Sequence, residues 1–444
     1  MFSAFQTFGK LGALASSVAR AWSPAALFAA GEAGGLWDFS TLANLYQDSA
    51  GTTPCTAVGD PIGKVLDTSG RGNHLTQATS TKRPVLGRMP ATGVRNLLTY
   101  TEDFSAWSQN ITSVNSNKYT APDGSLTADE LVADGYNASR SQTVVLSASQ
   151  YTLTFSVRAG TSTAFRFGLI SGGWLPASAS IVSGSGAVSG TGLMTLTGLD
   201  SNWTVISLTA TATAASTGFF ILPGPFPQSA GDSIGVWGAQ LELGSTATAY
   251  QKVGAAYDVT ESGVASVYTA YFDGVDDCLV SPSIDFSGTD AMSVFAGFRK
   301  TSDAARGMVA ELSATTDSNN GSFALTAPNA ASATIVYESK GTSLTDTSAT
   351  IAAPADSVIA AVSDISADSN VLRRNGAEAE SDTGDQGTGN FGNYPIYVGQ
   401  RGAASLPYKG FLSALCTRGA ATDAALVTNM EKWMAARTPG VTLP

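Results

Sequence analysis

The chain has 444 residues, 43% of them hydrophobic and only 13% charged, which is enough apolar material for more than one core and points to two or three domains. A net charge of -11 without a dense basic cluster speaks against nucleic acid as a partner, because phosphate-backbone affinity comes from grouped Lys and Arg. One histidine, His74, and three cysteines, Cys55, Cys278 and Cys416, make neither a common zinc site nor an even disulfide framework, so buried free thiols are expected.

Gly is abundant at 47 residues, and the many Ser and Thr around it suit short strands joined by tight turns. The fold class expected is all-β, with two β-sandwich (jelly-roll) domains, a short N-terminal helix and a C-terminal helix. Residues 1–24 open with Phe2, Phe5, Phe8 and Leu11 at helical spacing, an amphipathic pattern that needs a partner surface. The apolar run after Lys10 is too short and interrupted for a secretory signal, and no run reaches the length of a membrane-spanning helix.

After Pro24 a strand is predicted at Leu36-Trp37-Asp38-Phe39, followed by turn-rich polar segments. One of these, Asp67-Thr68-Ser69-Gly70-Arg71-Gly72-Asn73-His74, resembles the opening of laminin G-like modules in phage virion proteins. From Asn96 the texture changes to alternating strands. Tyr151, Leu153, Phe155 and Val157 would share one face of a half-buried strand, and Trp203 to Leu208 and Ile234 to Glu242 read as further strands. The Trp237-Gly238-Ala239-Gln240-Leu241-Glu242 run is similar to the last strand of the carbohydrate-binding-module-like jelly roll of phage tail and head-fibre proteins.

A third block has strands near Val267 to Phe272, Ser293 to Arg299, Ala333 to Tyr337, Val358 to Ser363 and Ile396 to Gly399. It closes in a helix capped by Asp423 and ended by Pro439-Gly440. Its Tyr271-Phe272-Asp273-Gly274-Val275-Asp276-Asp277 run and the distant Tyr394 to Gly402 segment resemble a concanavalin A-like or laminin G-like sandwich. The opening turn-rich segment and the third block then read as two parts of one sandwich, residues 25–95 and 255–444. Residues 96–253 would be inserted between them, since loop closure costs little more for a long insertion than a short one. The alternative is a collar followed by two serial sandwiches.

Asp273, Asp276 and Asp277 offer the carboxylate oxygens that calcium takes, while Asp273-Gly274 is also hairpin-turn chemistry. The turn is the reading adopted: no cofactor is required, and calcium is the one ion with candidate ligands. Glu378, Glu380 and Asp382 alternate, so on a regular strand all three would share a face, as a glycosidase's carboxylate pair must. They follow Asn375-Gly376 and alternate with small residues, which reads better as a solvated hairpin arm. His74 has no nucleophile beside it and is read as stabilising its turn. Trp107, Tyr136, Trp174 and Tyr408 are candidates for stacking on sugar rings, with core packing as the alternative for each.

The resemblance implies a virion protein, a head spike, fibre or tail appendage, that binds host-surface polysaccharide and is not an enzyme. It also implies a homo-oligomer; the helical spacing of Phe2, Phe5 and Phe8 is the sequence's own sign that the N-terminal segment is the assembly contact with other virion proteins. A polysaccharide-degrading enzyme using Glu378 and Glu380, or a decoration protein without a ligand, are the alternatives.

Overall fold

A computed structural model describes residues 22–213 and 216–444. The predicted N-terminal helix and the Phe2, Phe5 and Phe8 contact lie outside the described residues. The chain is all-β, with 47% of it in strands and 6% in helix, and its sheets pack as sandwiches.

An 8-stranded sheet is built around Lys409–Arg418, which pairs with Ala291–Lys300 on one side. On the other side it pairs with both Gly34–Asp38 and Ser266–Asp273, and Ser266–Asp273 continues to Val85–Pro90. A 9-stranded sheet begins with the short strands Leu45–Tyr46, Lys64–Val65 and Leu75–Thr76. It runs on through Leu279–Asp285, Asn393–Val398 and Met308–Leu312 to Leu344–Thr350. Both sheets therefore combine strands from before residue 91 with strands from after residue 265. Their inner faces meet in one core that includes Trp37, Phe39, Phe272, Phe286, Phe298, Phe323 and Tyr337.

The strands between Ser108 and Leu243 pair only among themselves, in two 6-stranded sheets. Tyr151, Leu153, Phe155 and Val157 do share the inward face of Gln150–Ala159, opposite Phe165, Phe167, Phe219 and Ile221 of the second sheet. The alternation follows from the pleat, which sends successive side chains to opposite faces.

The helix Ala424–Ala435 covers the outer face of the 8-stranded sheet. Asp423 caps it by accepting the Leu426 N–H at 2.9 Å, and Val427, Met430 and Met434 pack with Phe295, Val358 and Cys416. Each such buried side chain contributes roughly 1.5–3 kcal/mol. With helix on one side and core on the other, Lys409–Arg418 is buried on both faces, so its sequence carries no alternation.

The runs that marked the chain as sandwich-like are spent on backbone geometry. Asp67 accepts the N–H groups of Leu36, Ser69 and Asn73, Asn73 donates to the Gly34 carbonyl, and the Trp37 indole donates to the Asn73 carbonyl. His74 Nδ1 accepts the Asp67 N–H at 2.9 Å, so this histidine stabilises the turn. In the Trp237 to Glu242 run, Gly238 has φ +67° at a register shift, and the polar residues beyond it fasten the two ends of the middle block together. Asn96 donates to the Ala239 and Gln251 carbonyls and accepts the N–H groups of Leu98 and Leu241. Gln240 accepts the Gln251 N–H, and the Gln251 side chain accepts those of Arg95 and Asn96.

Asp273-Gly274 is not a hairpin turn, as its sequence suggested. Ser266–Asp273 lies in the 8-stranded sheet and Leu279–Asp285 in the 9-stranded one, so the turn carries the chain across the sandwich. Asn375-Gly376 does form a hairpin, joining Ser369–Arg374 to Ala377–Asp382 with φ +50° and +83°, the two positive values a type I′ turn requires.

Candidate functional site

In the middle block, Phe165, Phe167 and Leu169 of the strand Ala164–Ile170 point into the core, so Arg166 and Gly168 face outward. On the neighbouring strand Ser216–Pro223, Phe219 and Ile221 are in the core, so Phe220 and Leu222 face outward, opposite Gly168 and Arg166 respectively. This outer face carries a group of aromatic rings.

Trp174 reaches it through a local device. The chain turns at Gly172 with φ +69°, Ser171 N–H donates to the Gly173 carbonyl and Leu175 N–H to the Leu169 carbonyl, and Trp174 bridges back to Ile170. The indole then lies across Gly168, where a Cβ would come within 3.0 Å of two ring carbons. It meets the Phe220 ring edge-on at 5.8 Å and is 36% exposed. Small residues under the indole are thus a requirement of its position.

The second half of the face lies over Arg166, two residues along the strand and so roughly 6.6 Å away. Phe226, 65% exposed, and Tyr136, 51% exposed, come from two loops and meet with ring centroids 6.0 Å apart. The Arg166 guanidinium carbon stands 5.1 Å from the Phe226 centroid. Gln228 holds this arrangement from below: its amide donates to the Pro223 and Ala138 carbonyls, one in each loop's neighbourhood, and its oxygen accepts from Arg166 at 3.0 Å. Burial pushes the Arg166 pKa down, and the Tyr136 phenol opposes that shift.

Of the four sequence-predicted aromatics, the structure brings Tyr136 and Trp174 to this face. It corrects the other two. Trp107 is 3% exposed, packed against Phe104 and Phe219 with its indole N–H on the Thr99 and Tyr100 carbonyls, because the core needs its volume there. Tyr408 is 1% exposed, between Phe272 and Phe298, with its hydroxyl donating to the Arg299 carbonyl. Sequence reading missed Phe226 and Phe220. The signal for Phe220 was the two consecutive phenylalanines, Phe219 and Phe220, which on a strand must face opposite ways; Phe226, in an irregular loop, gave none.

The acidic candidates fare differently. Asp273, Asp276 and Asp277 do come together, with ligand oxygens within 4.8 Å of one another. Asp273 accepts the Val275 N–H and Asp277 accepts the Asp273 N–H, so two of these carboxylates already serve the turn. The cluster could supply three of the six to eight oxygens that calcium takes. Burial, with Asp273 and Asp276 alongside, pushes Asp277 up to about 7 against its own hydrogen bond.

Glu378 and Glu380 do not share a face. The register shifts between Leu372 and Arg373, setting Glu380 opposite the core residue Leu372 and Glu378 opposite Arg373, which binds Glu431 of the helix on the other side. Glu380 spends one oxygen on the N–H and hydroxyl of Ser348. A groove of about 460 Å³ runs beside them between the two sheet edges. A smaller hollow of about 270 Å³ lies beside the short strand Gln251–Val253, lined by Glu102, Asp103, Asn117 and Lys252, with Glu102 and Lys252 ion-paired at 2.6 Å. All three cysteines are buried and free, and burial pushes the Cys55 and Cys278 thiols up to about 12, away from nucleophilic use.

No family model and no curated protein matches the chain. Among solved structures, it is similar to the Ruminococcus gnavus IT-sialidase CBM40 bound to α2,3-sialyllactose, at 13% identity over 32% of this chain and 83% of that one, with a TM-score of 0.27. It is also similar to domain 4 of a GH43 extracellular arabinanase from Geobacillus stearothermophilus in complex with arabinotriose, at 15% identity over 42% and 82%, with a TM-score of 0.30. A third similar structure is the botulinum neurotoxin type G receptor binding domain, at 10% identity over 37% and 42%, with a TM-score of 0.29.

Proposed function

We propose that this chain is a carbohydrate-binding protein, not a catalyst, and that its binding face is the ring group formed by Tyr136, Trp174, Phe220 and Phe226. The observation that carries this reading is the exposure of Tyr136, Trp174 and Phe226 together on one sheet face, held in place by specific packing and hydrogen bonds. Isolated exposed apolar side chains are ordinary, but a fixed aromatic platform beside a buried polar floor is what sugar rings stack upon. In the same proposal, residues 96–253 are a domain inserted into the sandwich of residues 25–95 and 255–444. The protein would be a virion appendage that recognises host-surface polysaccharide, a placement supported by the motif resemblance alone.

A glycan array probed with the full chain, followed by titration of the best hit, tests the binding reading. Trp174→Ala and Phe226→Ala are each expected to weaken binding roughly twofold to tenfold, the loss of one stacking contact of about 0.5–1.5 kcal/mol, with the melting temperature little changed. Undiminished binding by both variants would place the ligand elsewhere. Labelling purified particles with an antibody to the chain tests the virion placement.

A further inference from the structure

Arg166 is only 6% exposed, yet no carboxylate among the described residues pairs with it. Buried charges are ordinarily paired, because removing an ion from water is costly without compensation. Of the three other buried arginines, two obey that rule. Arg299 binds Asp356, and Arg401 binds Glu311 and Asp317. Arg140 has no ion pair among the described residues either, but its guanidinium donates to the Trp107 and Thr112 carbonyls and to Gln109, with Asp134 and Asp129 acting on its charge. Arg166 has one acceptor, the neutral Gln228 oxygen, while its Nε is buried without a partner and the face of Phe226 stands over its charge. A cation has been kept beneath the exposed Phe226 ring with no carboxylate beside it.

We propose that the ligand of this face is an acidic saccharide, whose carboxylate or sulfate supplies the missing counter-charge to Arg166 while its ring lies against Tyr136 and Phe226. This rests on the sugar-binding reading and narrows it to a chemical class. The selection is local, since the chain as a whole carries a net charge of -11 and its general field disfavours anions. A guanidinium presents a planar fork that matches a carboxylate or sulfate, and the charge-assisted bond forms where water is already displaced by the rings. A neutral sugar could stack but would leave the charge unpaired.

Titration calorimetry of the full chain with three oligosaccharides of matched backbone tests this: one ending in glucuronate, one in its glucose counterpart, and one sulfated. At least one acidic form is expected to bind roughly tenfold to a hundredfold tighter than the neutral one, the range of a charge-assisted hydrogen bond. Arg166→Gln should erase that preference, whereas Phe226→Ala should weaken acidic and neutral ligands alike. Should Arg166→Gln fail to fold, the wild-type preference must still shrink as sodium chloride is raised; a salt-independent preference would overturn the proposal. The two acidic arms separate carboxylate from sulfate recognition. Equal affinity for acidic and neutral forms overturns the acidic class and leaves the sugar-binding reading standing, whereas binding of none of the three, together with an empty glycan array, overturns both. Sodium sulfate alone binding as tightly as the oligosaccharides would reduce the site to an anion site and overturn the saccharide.

Discussion

Replacing Gly399 by alanine is expected to destabilise the large sandwich by about 2–5 kcal/mol, from two separable causes. Gly399 follows the strand Asn393–Val398 with φ +88°, where a side chain is disfavoured by about 1–2 kcal/mol. A Cβ there would stand 2.3 and 2.4 Å from two Phe272 ring carbons and 2.9 Å from the Asp277 carbonyl oxygen. Phe272 is fully buried, with Tyr408 at 6.0 Å, so the ring cannot swing away without disturbing the core, and overpacking of that kind costs about 1–3 kcal/mol. Urea unfolding followed by tryptophan fluorescence measures the sum. A double-mutant cycle with Phe272→Leu separates the parts: with the ring gone, Gly399→Ala should cost only its backbone share, leaving a coupling of about 1–3 kcal/mol. A cost below about 1 kcal/mol, or the same cost in both backgrounds, would refute the packing argument.

Asn96→Ala removes four hydrogen bonds at the base of the middle block and strands buried backbone groups of Leu98, Ala239, Leu241 and Gln251. A loss of about 3–5 kcal/mol is expected, read as lost hydrogen-exchange protection at the Leu98 and Leu241 amides, and unchanged protection there would refute it. Asp277 titrates near 7 in the fold against an ordinary 3.8, so the folded state keeps a proton that the unfolded chain releases. Its contribution is therefore full below about pH 4 and falls as pH rises towards 7; Asp277→Asn should remove that slope from a series of melting temperatures, and an unchanged slope would assign it to another group. Because Asp273 and Asp277 already accept turn N–H groups, calcium is expected not to shift the melting temperature at neutral pH, and a shift abolished by Asp273→Asn would assign the cluster to the ion.

The sequence made strands legible where apolar and polar residues alternate. Tyr151 to Val157 alternates because one side of that strand meets the apolar core while Thr152, Thr154 and Ser156 lie on the other, and the helix from Ala424 was marked by its Asp423 cap and spaced apolar residues. Lys409–Arg418 was illegible because core on one side and helix on the other remove any period. The bulge beside Arg373 was equally hidden, and a single extra residue there moved Glu378 and Glu380 to opposite faces. Two of the four aromatic candidates lie in the exposed ring group, because exposure of a ring is decided by what packs on it from distant strands. Trp107 and Tyr408 look no different in sequence from Trp174, yet Phe219 and Phe298 close over them.

The residues that gave the chain its recognisable runs and the residues proposed to bind do separate physical work. Asp67, Asn73, His74, Gly238, Asn96 and Gln240 satisfy or bend backbone, so replacing any of them disturbs the scaffold whatever the ligand. The proposed binding face instead hangs on Gln228, whose contacts to Ala138 and Pro223 are to carbonyl oxygens that every residue possesses. The side chains at Tyr136 and Phe226 can therefore change without unfastening the loops that carry them, while the charge at Arg166 stays fixed by its strand. On the proposed reading, ring identity would tune which sugar surface is stacked, and Arg166 would decide whether that sugar must be acidic. Exchanging Tyr136 and Phe226 should accordingly alter preference among acidic sugars before it alters the preference for acid.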